Sequence, residues 1–389
     1  MVSDIALFFE PVSEEVSSLH DKGSLGEKIQ TFTKGVEFPE VTPGSVAIFG
    51  VSESRRAAQE FGSLNGLTSV RKSFYQLKNH FSNIDVFDLG NITQGETVED
   101  TYYAISNSVA AIIKQGGIAV ILGGSQDLTY ANYLAYEKLE QVVNLACVDS
   151  RFDLGEANAD VEADRYLQKI ILHQPNILFN FSNLAFQTHH IIPDELDLMK
   201  NMYFDALRLG EVQSDLEEVE PVVRSADMVS FDLSSIRTSD FPENFRKEPN
   251  GLYGEQACAI ARYAGLSDKL SSFGLYNGLL DKGDSQSVEL VAQLVWYFIS
   301  GVDSRKKDYP FADKNEYTKY TVTLEDGQYD VVFYKSSRSD RWWMEVPYPS
   351  KRGAKYQRHF MVPCSYNDYL LAGQGEVPNR WWQTFQKLG

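Results

Sequence analysis

The chain has 389 residues, with 36 Lys and Arg against 54 Asp and Glu, a formal net charge of −18. Its 43% hydrophobic and 23% charged residues exclude a disordered, collagen-like or low-complexity chain and are enough for a core of normal size. The acidic balance argues against non-specific binding to nucleic acid or anionic lipid, because the long-range field repels both.

In chain order, short aliphatic and β-branched runs that end in Gly, Asp, Asn or Ser predict strands over 45–51, 84–90, 117–124, 142–149, 177–182, 201–206, 228–235 and 271–277. Several are apolar on both faces, as strands of a parallel sheet covered on each side must be. Thr97-Val98-Glu99-Asp100 has the form of a capping box and predicts a helix to about residue 115. Asp284 is read as the cap of a further buried helix to about residue 300. Its apolar stretch, 290–302, is interrupted by Gln293 and falls short of the ~20 residues that span a bilayer. Strand–helix alternation over this length predicts one three-layer αβα domain with a roughly eight-stranded parallel sheet, over residues 1–304.

From 305 to 389 the pattern changes. Alternating segments 318–324 and 328–334 flank Asp326-Gly327, a hairpin signal, and 341–346 offers a third strand. Trp342, Trp343, Phe360, Tyr366, Tyr369, Trp381, Trp382 and Phe385 crowd the end of the chain. They read as an appendage packed on the main domain or on a neighbouring subunit, with a protein-partner surface as the sharper alternative. The run Lys351-Arg352-Gly353-Ala354-Lys355 with Arg358 reads as a solvated loop or a contact to an acidic surface rather than a nucleic-acid face. Cys147, Cys258 and Cys364 stand singly, which excludes a disulfide framework. With no basic-then-apolar start, these features predict a cytoplasmic protein.

Ligand sites in open α/β sheets lie beyond the carboxyl ends of the strands. Three such ends carry polar clusters here: Gly123-Gly124-Ser125-Gln126-Asp127, Asp149-Ser150-Arg151-Phe152-Asp153 and Ser230-Phe231-Asp232-Leu233-Ser234. In order and spacing they resemble the metal-binding signatures of the ureohydrolases (arginase, agmatinase and formimidoylglutamase): Gly-Gly-x-His, Asp-x-His-x-Asp and Ser-x-Asp-x-Asp. Asp127 and Tyr130 bring the resemblance closest to the formimidoylglutamase branch. It covers roughly residues 45–302 and implies an arginase-like fold and a homo-oligomer. It also implies a substrate-pocket role for Glu255 in the Gly251-Leu252-Tyr253-Gly254-Glu255 segment.

The family holds two manganese ions on four aspartates and two histidines. Along the matched motifs Asp149, Asp153 and Asp232 are kept, whereas Gln126, Arg151 and Ser234 stand in place of His, His and Asp. One site of the family thereby changes only its histidine, to an amide. The other loses both of its own ligands. Three carboxylates and one guanidinium sum to −2, which suits one divalent ion and not two. Arginine has no lone pair to offer, and a divalent ion ~4 Å from a guanidinium is repelled by roughly 8 kcal/mol at an effective dielectric of ~20.

Arg151 is therefore expected to lie bidentate on Asp149 or Asp232, in the place of the second metal. At most one Mn²⁺, Mg²⁺ or Ca²⁺ is expected on Asp149, Asp153, Asp232 and Gln126, with no cofactor as the favoured reading. The expected function is ligand or partner binding through Gln126, Arg151, Ser234 and Glu255 by a protein that has lost dinuclear hydrolysis. The alternative is a hydrolase of formimidoyl or guanidino C–N bonds with a single-metal or altered site, in which Asp153 or Glu255 does acid–base work. No Walker, dinucleotide or nucleophile-elbow motif is present. His189-His190 is read as surface or interface, for want of a carboxylate motif at metal spacing.

Overall fold

The computed structural model describes residues 5–19, 21–155, 162–278, 285–310, 314–324, 330–347 and 356–388. Two short strands, β1 (Phe9–Glu10) and β2 (Gln30–Thr31), precede the main sheet. That sheet consists of β3 (Val46–Val51), β4 (Val86–Ile92), β5 (Ile118–Leu122), β6 (Val143–Val148), β7 (Leu178–Phe186), β8 (Asp205–Arg208), β9 (Met228–Asp232) and β10 (Ser272–Tyr276). These eight are mutually parallel in the order β4-β3-β5-β10-β9-β6-β7-β8, with β1 antiparallel on β4 at the edge and β2 parallel to β4.

All eight expected strands are present. The sixth begins later than its sequence run suggests, because the helix Pro193–Asn201 occupies residues up to 201.

Strands β3, β5, β6, β9 and β10 are buried at every residue. Helices Leu64–Gln76, Gly254–Leu266 and Ser285–Asp303 pack on one face through Leu67, Val70, Phe74, Ala257, Ala261, Val291 and Phe298. On the other face lie Val98–Lys114 and Leu128–Lys138, through Ile105, Val109, Leu128 and Ala131. This is the three-layer αβα arrangement. The capping box at Thr97 is formed, with its hydroxyl accepting from the Asp100 N–H at 3.1 Å and Asp100 returning to the Thr97 N–H at 2.8 Å. The cap expected at Asp284, the turn at Asp326-Gly327 and the basic run 351–355 lie outside the described residues.

The C-terminal segment forms an antiparallel sheet, β11 (Tyr317–Thr323), β12 (Asp330–Ser336), β13 (Trp342–Glu345) and β14 (Met361–Cys364). Strand β14 has no signal in the sequence because Pro363 lies within it, and proline is admitted here because the strand is the sheet's outer edge.

The sheet docks at the amino ends of β6, β7 and β9, opposite the motif-bearing ends. Buried Arg224 reaches the carbonyls of Trp342 and Cys364 at 3.2 and 3.3 Å. Arg358, flanking the basic run, pairs with buried Asp227 at 3.1 Å, an acidic contact of the kind its sequence suggests. Trp343 and Trp381 are fully enclosed, so these aromatics serve chiefly as a core, whereas Tyr366 and Trp382 stay exposed. Among the described residues no helix is long and apolar enough to cross a membrane.

Candidate functional site

Strands β5, β10, β9 and β6 are consecutive in the sheet, so the segments leaving their carboxyl ends must meet. The turn after β5 uses Gly124 at φ +78°, where a Cβ would lie 2.2 Å from Leu128 Cδ1 and 2.8 Å from the Glu53 carbonyl. Glycine is required there, and it delivers Gln126 to the interior. Asp153 and Asn277 reach the same interior from left-handed backbone at φ +51° and +61°, an uncommon conformation for residues with a side chain.

Gln126, Asp149, Asp153, Asp232 and Ser234 are all buried. Asp149 accepts from the Arg151 backbone N–H at 2.9 Å and from Gln126 Nε2 at 2.9 Å. Asp232 accepts from the Ser234 N–H at 2.7 Å and from Asn277 Nδ2 at 3.0 Å. Asn277 also takes the Gln126 backbone N–H on its Oδ1 at 3.0 Å. Thus Gln126 presents its amide nitrogen, not its oxygen, to Asp149.

Burial raises all three carboxyl pKa values. Asp149 is shifted upward; Asp153 is pushed far above the usual range by burial and then by the charge of Asp149; Asp232 rises to about 7. The Asp149 and Asp153 carboxyls are hydrogen-bonded to each other, and the larger upward shift at Asp153 favours the protonated form there. Cys147 beside them is buried and its thiol pKa is driven up, so it offers no thiolate; it shares a 2.7 Å hydrogen bond with Tyr166.

Arg151 is not where its spacing puts it. Its guanidinium lies 3.2 Å from His190 Nδ1 and 3.8 Å from Glu248 Oε1, and touches neither Asp149 nor Asp232. Both Asp149 oxygens are already engaged, one by the Arg151 amide itself, so the side chain takes its carboxylate elsewhere.

The cation that does face the aspartates is Arg246. Its side chain is 14% exposed, its Nη2 donates to Asp164 at 3.0 Å, and its charge acts on Asp153, Asp232, Asp164 and Asp149 together. Asn244 fixes that loop beneath the Ser234 turn, donating to the carbonyls of Ser234 and Ile236 at 2.8 and 2.7 Å. No motif marks Arg246 or Asn277; the one clue is that three buried carboxylates need a counter-cation.

Glu255 stands apart. It is exposed in the first turn of Gly254–Leu266 and lines a separate concavity with Asp240, Cys258, Arg262 and Glu289. Expected in the substrate pocket, it is not among the groups around the aspartates. His189 and His190, read as surface or interface for want of a carboxylate motif, meet a carboxylate in Glu248, which lies 3.0 Å from His190 Nε2.

A model of the Arginase family matches residues 44–301. The chain belongs to the arginase family. This arginase-family chain is 22% identical over 250 residues to a formimidoylglutamase of Geobacillus kaustophilus, covering 61% of this chain and 77% of that protein. With a formimidoylglutamase of Staphylococcus aureus the figures are 23% over 271 residues, covering 66% and 86%.

A Trypanosoma cruzi formiminoglutamase crystallised with Mn²⁺ shares the fold at a TM-score of 0.60 and 17% identity, covering 67% of this chain and 94% of that one. A Bacillus subtilis formimidoylglutamase does so at 0.60 and 14%, covering 70% and 96%. The relationship is thus to the formimidoylglutamase-like branch. The added four-stranded sheet lies beyond the matched residues.

The donor set can be set against the metals such a fold implies. One divalent cation fits three carboxylates, with the Gln126 carboxamide turned by 180° to bring its oxygen inward. Two do not fit. Ser234 offers a neutral hydroxyl in place of a carboxylate, Arg151 has no lone pair, and Arg246 adds a positive charge.

Asn at position 153 would keep an N–H donor toward Asp149, tolerate the left-handed backbone and remove a buried acid. Asp153→Asn is therefore expected to leave thermal stability at pH 8 unchanged or raised by about 1 kcal/mol, by calorimetry. A loss above about 2 kcal/mol would mean that Asp153 is needed as an anion.

Proposed function

We propose that this arginase-family chain has given up dinuclear manganese hydrolysis and works by binding a ligand or a partner. The observation that carries the reading is the orientation of Gln126, whose N–H faces Asp149, with the Arg246 guanidinium balancing the acids. A proton on Asp153 and an organic cation thus do the neutralising that two inorganic ions would otherwise do. Two-metal hydrolysis needs both ions, to polarise the substrate and to lower the pKa of a shared water. Ser234 Oγ and Ser150 Oγ, both buried and without hydrogen-bond partners among the described residues, supply polar groups for a ligand at this centre. The homo-oligomer that the resemblance implies is part of this proposal, read out by sedimentation of the purified chain.

A second reading is a one-metal hydrolase of a formimidoyl or guanidino C–N bond. It is favoured by the convergence of Asp149, Asp153 and Asp232 and by the relatives named formimidoylglutamases.

The experiment is elemental analysis of protein purified with Mn²⁺, together with assays of formamide, urea and ammonia release from formimidoylglutamate, arginine, agmatine and guanidinobutyrate. At most one ion per chain and no release are expected. Two Mn²⁺ per chain that are both lost in Asp232→Ala, or turnover that vanishes in that variant, would overturn the binding reading in favour of the hydrolase.

A further inference from the structure

Beyond the aspartate centre, a second cluster of ligating side chains lies at the carboxyl end of the sheet. The chain leaving β7 makes a single 3₁₀ turn, Thr188–His190, with the His190 N–H on the Gln187 carbonyl at 2.9 Å. This brings the two imidazoles, His189 and His190, together with ring centres 4.1 Å apart and planes tilted by 52°. From a loop sixty residues on, Glu248 reaches the same place; its backbone carbonyl is fixed by the N–H and the hydroxyl of Thr238 at 2.9 and 2.8 Å. One nitrogen from each histidine and one Glu248 oxygen all lie within 4.8 Å of one another. His189 also lines a cavity of about 480 Å³ with Gln187, Arg208, Gln213, Arg237 and Tyr253.

We propose that His189, His190 and Glu248 form a site for a single divalent transition-metal ion, Zn²⁺ by its donor set, with its remaining coordination position turned toward this cavity. Two imidazoles and one carboxylate are the three-ligand pattern with which proteins hold zinc while leaving a position open to water or an exchangeable ligand. Harder ions such as Mg²⁺ prefer oxygen ligands and octahedral geometry, which this trio does not offer.

Glu248 supplies the single negative charge that partly offsets the ion.

Arg151 is the gate. In the structure its Nη2 donates to His190 Nδ1, leaving Nε2 as the protonated nitrogen that faces Glu248. For an ion to bind at Nε2 the proton must move to Nδ1, and Arg151 must withdraw because two donors would then oppose each other. Its side chain, 31% exposed, can turn toward solvent. Arg151 and the ion thus compete for His190 and Glu248. This site shares no ligand with the Asp149–Asp153–Asp232 centre and stands or falls separately from the proposed loss of dinuclear hydrolysis.

The test is equilibrium dialysis of the full chain against Zn²⁺, and against Co²⁺ read by visible absorption. One ion per chain is expected, with the intense visible bands of four-coordinate Co²⁺. His190→Ala and Glu248→Gln should each weaken binding at least tenfold, Arg151→Ala should tighten it tenfold or more, and Asp153→Asn should leave it unchanged. His189→Ala, at an exposed position where failure to fold is not at issue, should likewise weaken binding at least tenfold. Absence of Zn²⁺ uptake by the unaltered chain, or uptake that survives both His190→Ala and Glu248→Gln, would overturn the proposal. So would uptake abolished by Asp153→Asn.

Discussion

Replacing Arg246 with Met is expected to lower the melting temperature by about 6–12 °C at pH 8. Removing one partner of a buried ionic network costs about 3 kcal/mol or more, and each kcal/mol is worth about 2–4 °C in a domain of this size. Methionine keeps much of the side-chain length and its packing on the Phe245 ring, which lies 4.7 Å from the guanidinium carbon, so the loss is mainly one of charge.

The pH dependence follows from the direction of the carboxyl shifts. A carboxyl whose folded pKa is raised is bound to its proton in the folded chain after the unfolded chain has released it. Stability is therefore greatest below about pH 4 as far as Asp149, Asp153 and Asp232 are concerned. It falls as pH climbs through their folded values, about 7 for Asp232. Without Arg246 those values move higher and the fall steepens. The difference between Arg246→Met and the parent should accordingly be small at pH 5 and large at pH 8 in paired calorimetric scans. A difference independent of pH would place Arg246 outside the acids' field.

The frame of the molecule was open to sequence reasoning because burial writes itself into strands such as Val46–Val51 and Ile118–Leu122, apolar on both faces. The three motifs were legible for a related reason: a strand that ends in Asp or Gly-Gly can deliver a polar side chain only to its carboxyl end. The order of strands was not legible, and order decides which ends meet.

Arg151 departs from its expected place because a long side chain is not confined to the neighbourhood of its Cα. The backbone N–H of Arg151 does bind Asp149, as the spacing requires, but the guanidinium travels to His190 and Glu248. Arg246, Asn277 and Glu248 belong to segments with no signature, brought in by Asn244 under the Ser234 turn, by the left-handed end of β10, and by Thr238. Each acts across 45 or more residues of sequence in at least one contact that defines its role, and no local pattern encodes that.

Restoring the family ligands through Gln126→His, Arg151→His and Ser234→Asp is expected to yield at most one tightly held Mn²⁺ per chain. The triple change supplies the two imidazoles and the fourth carboxylate. It leaves Arg246 in the field of the same aspartates, and a guanidinium ~5 Å from a divalent ion is repelled by about 7 kcal/mol at an effective dielectric of ~20. That exceeds what one added carboxylate returns after its own desolvation.

Adding Arg246→Met removes the internal cation and should admit the second ion, so the quadruple variant is expected to carry two Mn²⁺ per chain by elemental analysis. The fourth carboxylate would also recover there the stability that Arg246→Met loses alone, because two ions then neutralise four acids. Two ions already present in the triple variant would show that Arg246 swings clear of the centre at little cost, and that Gln126, Arg151 and Ser234 alone account for the altered site.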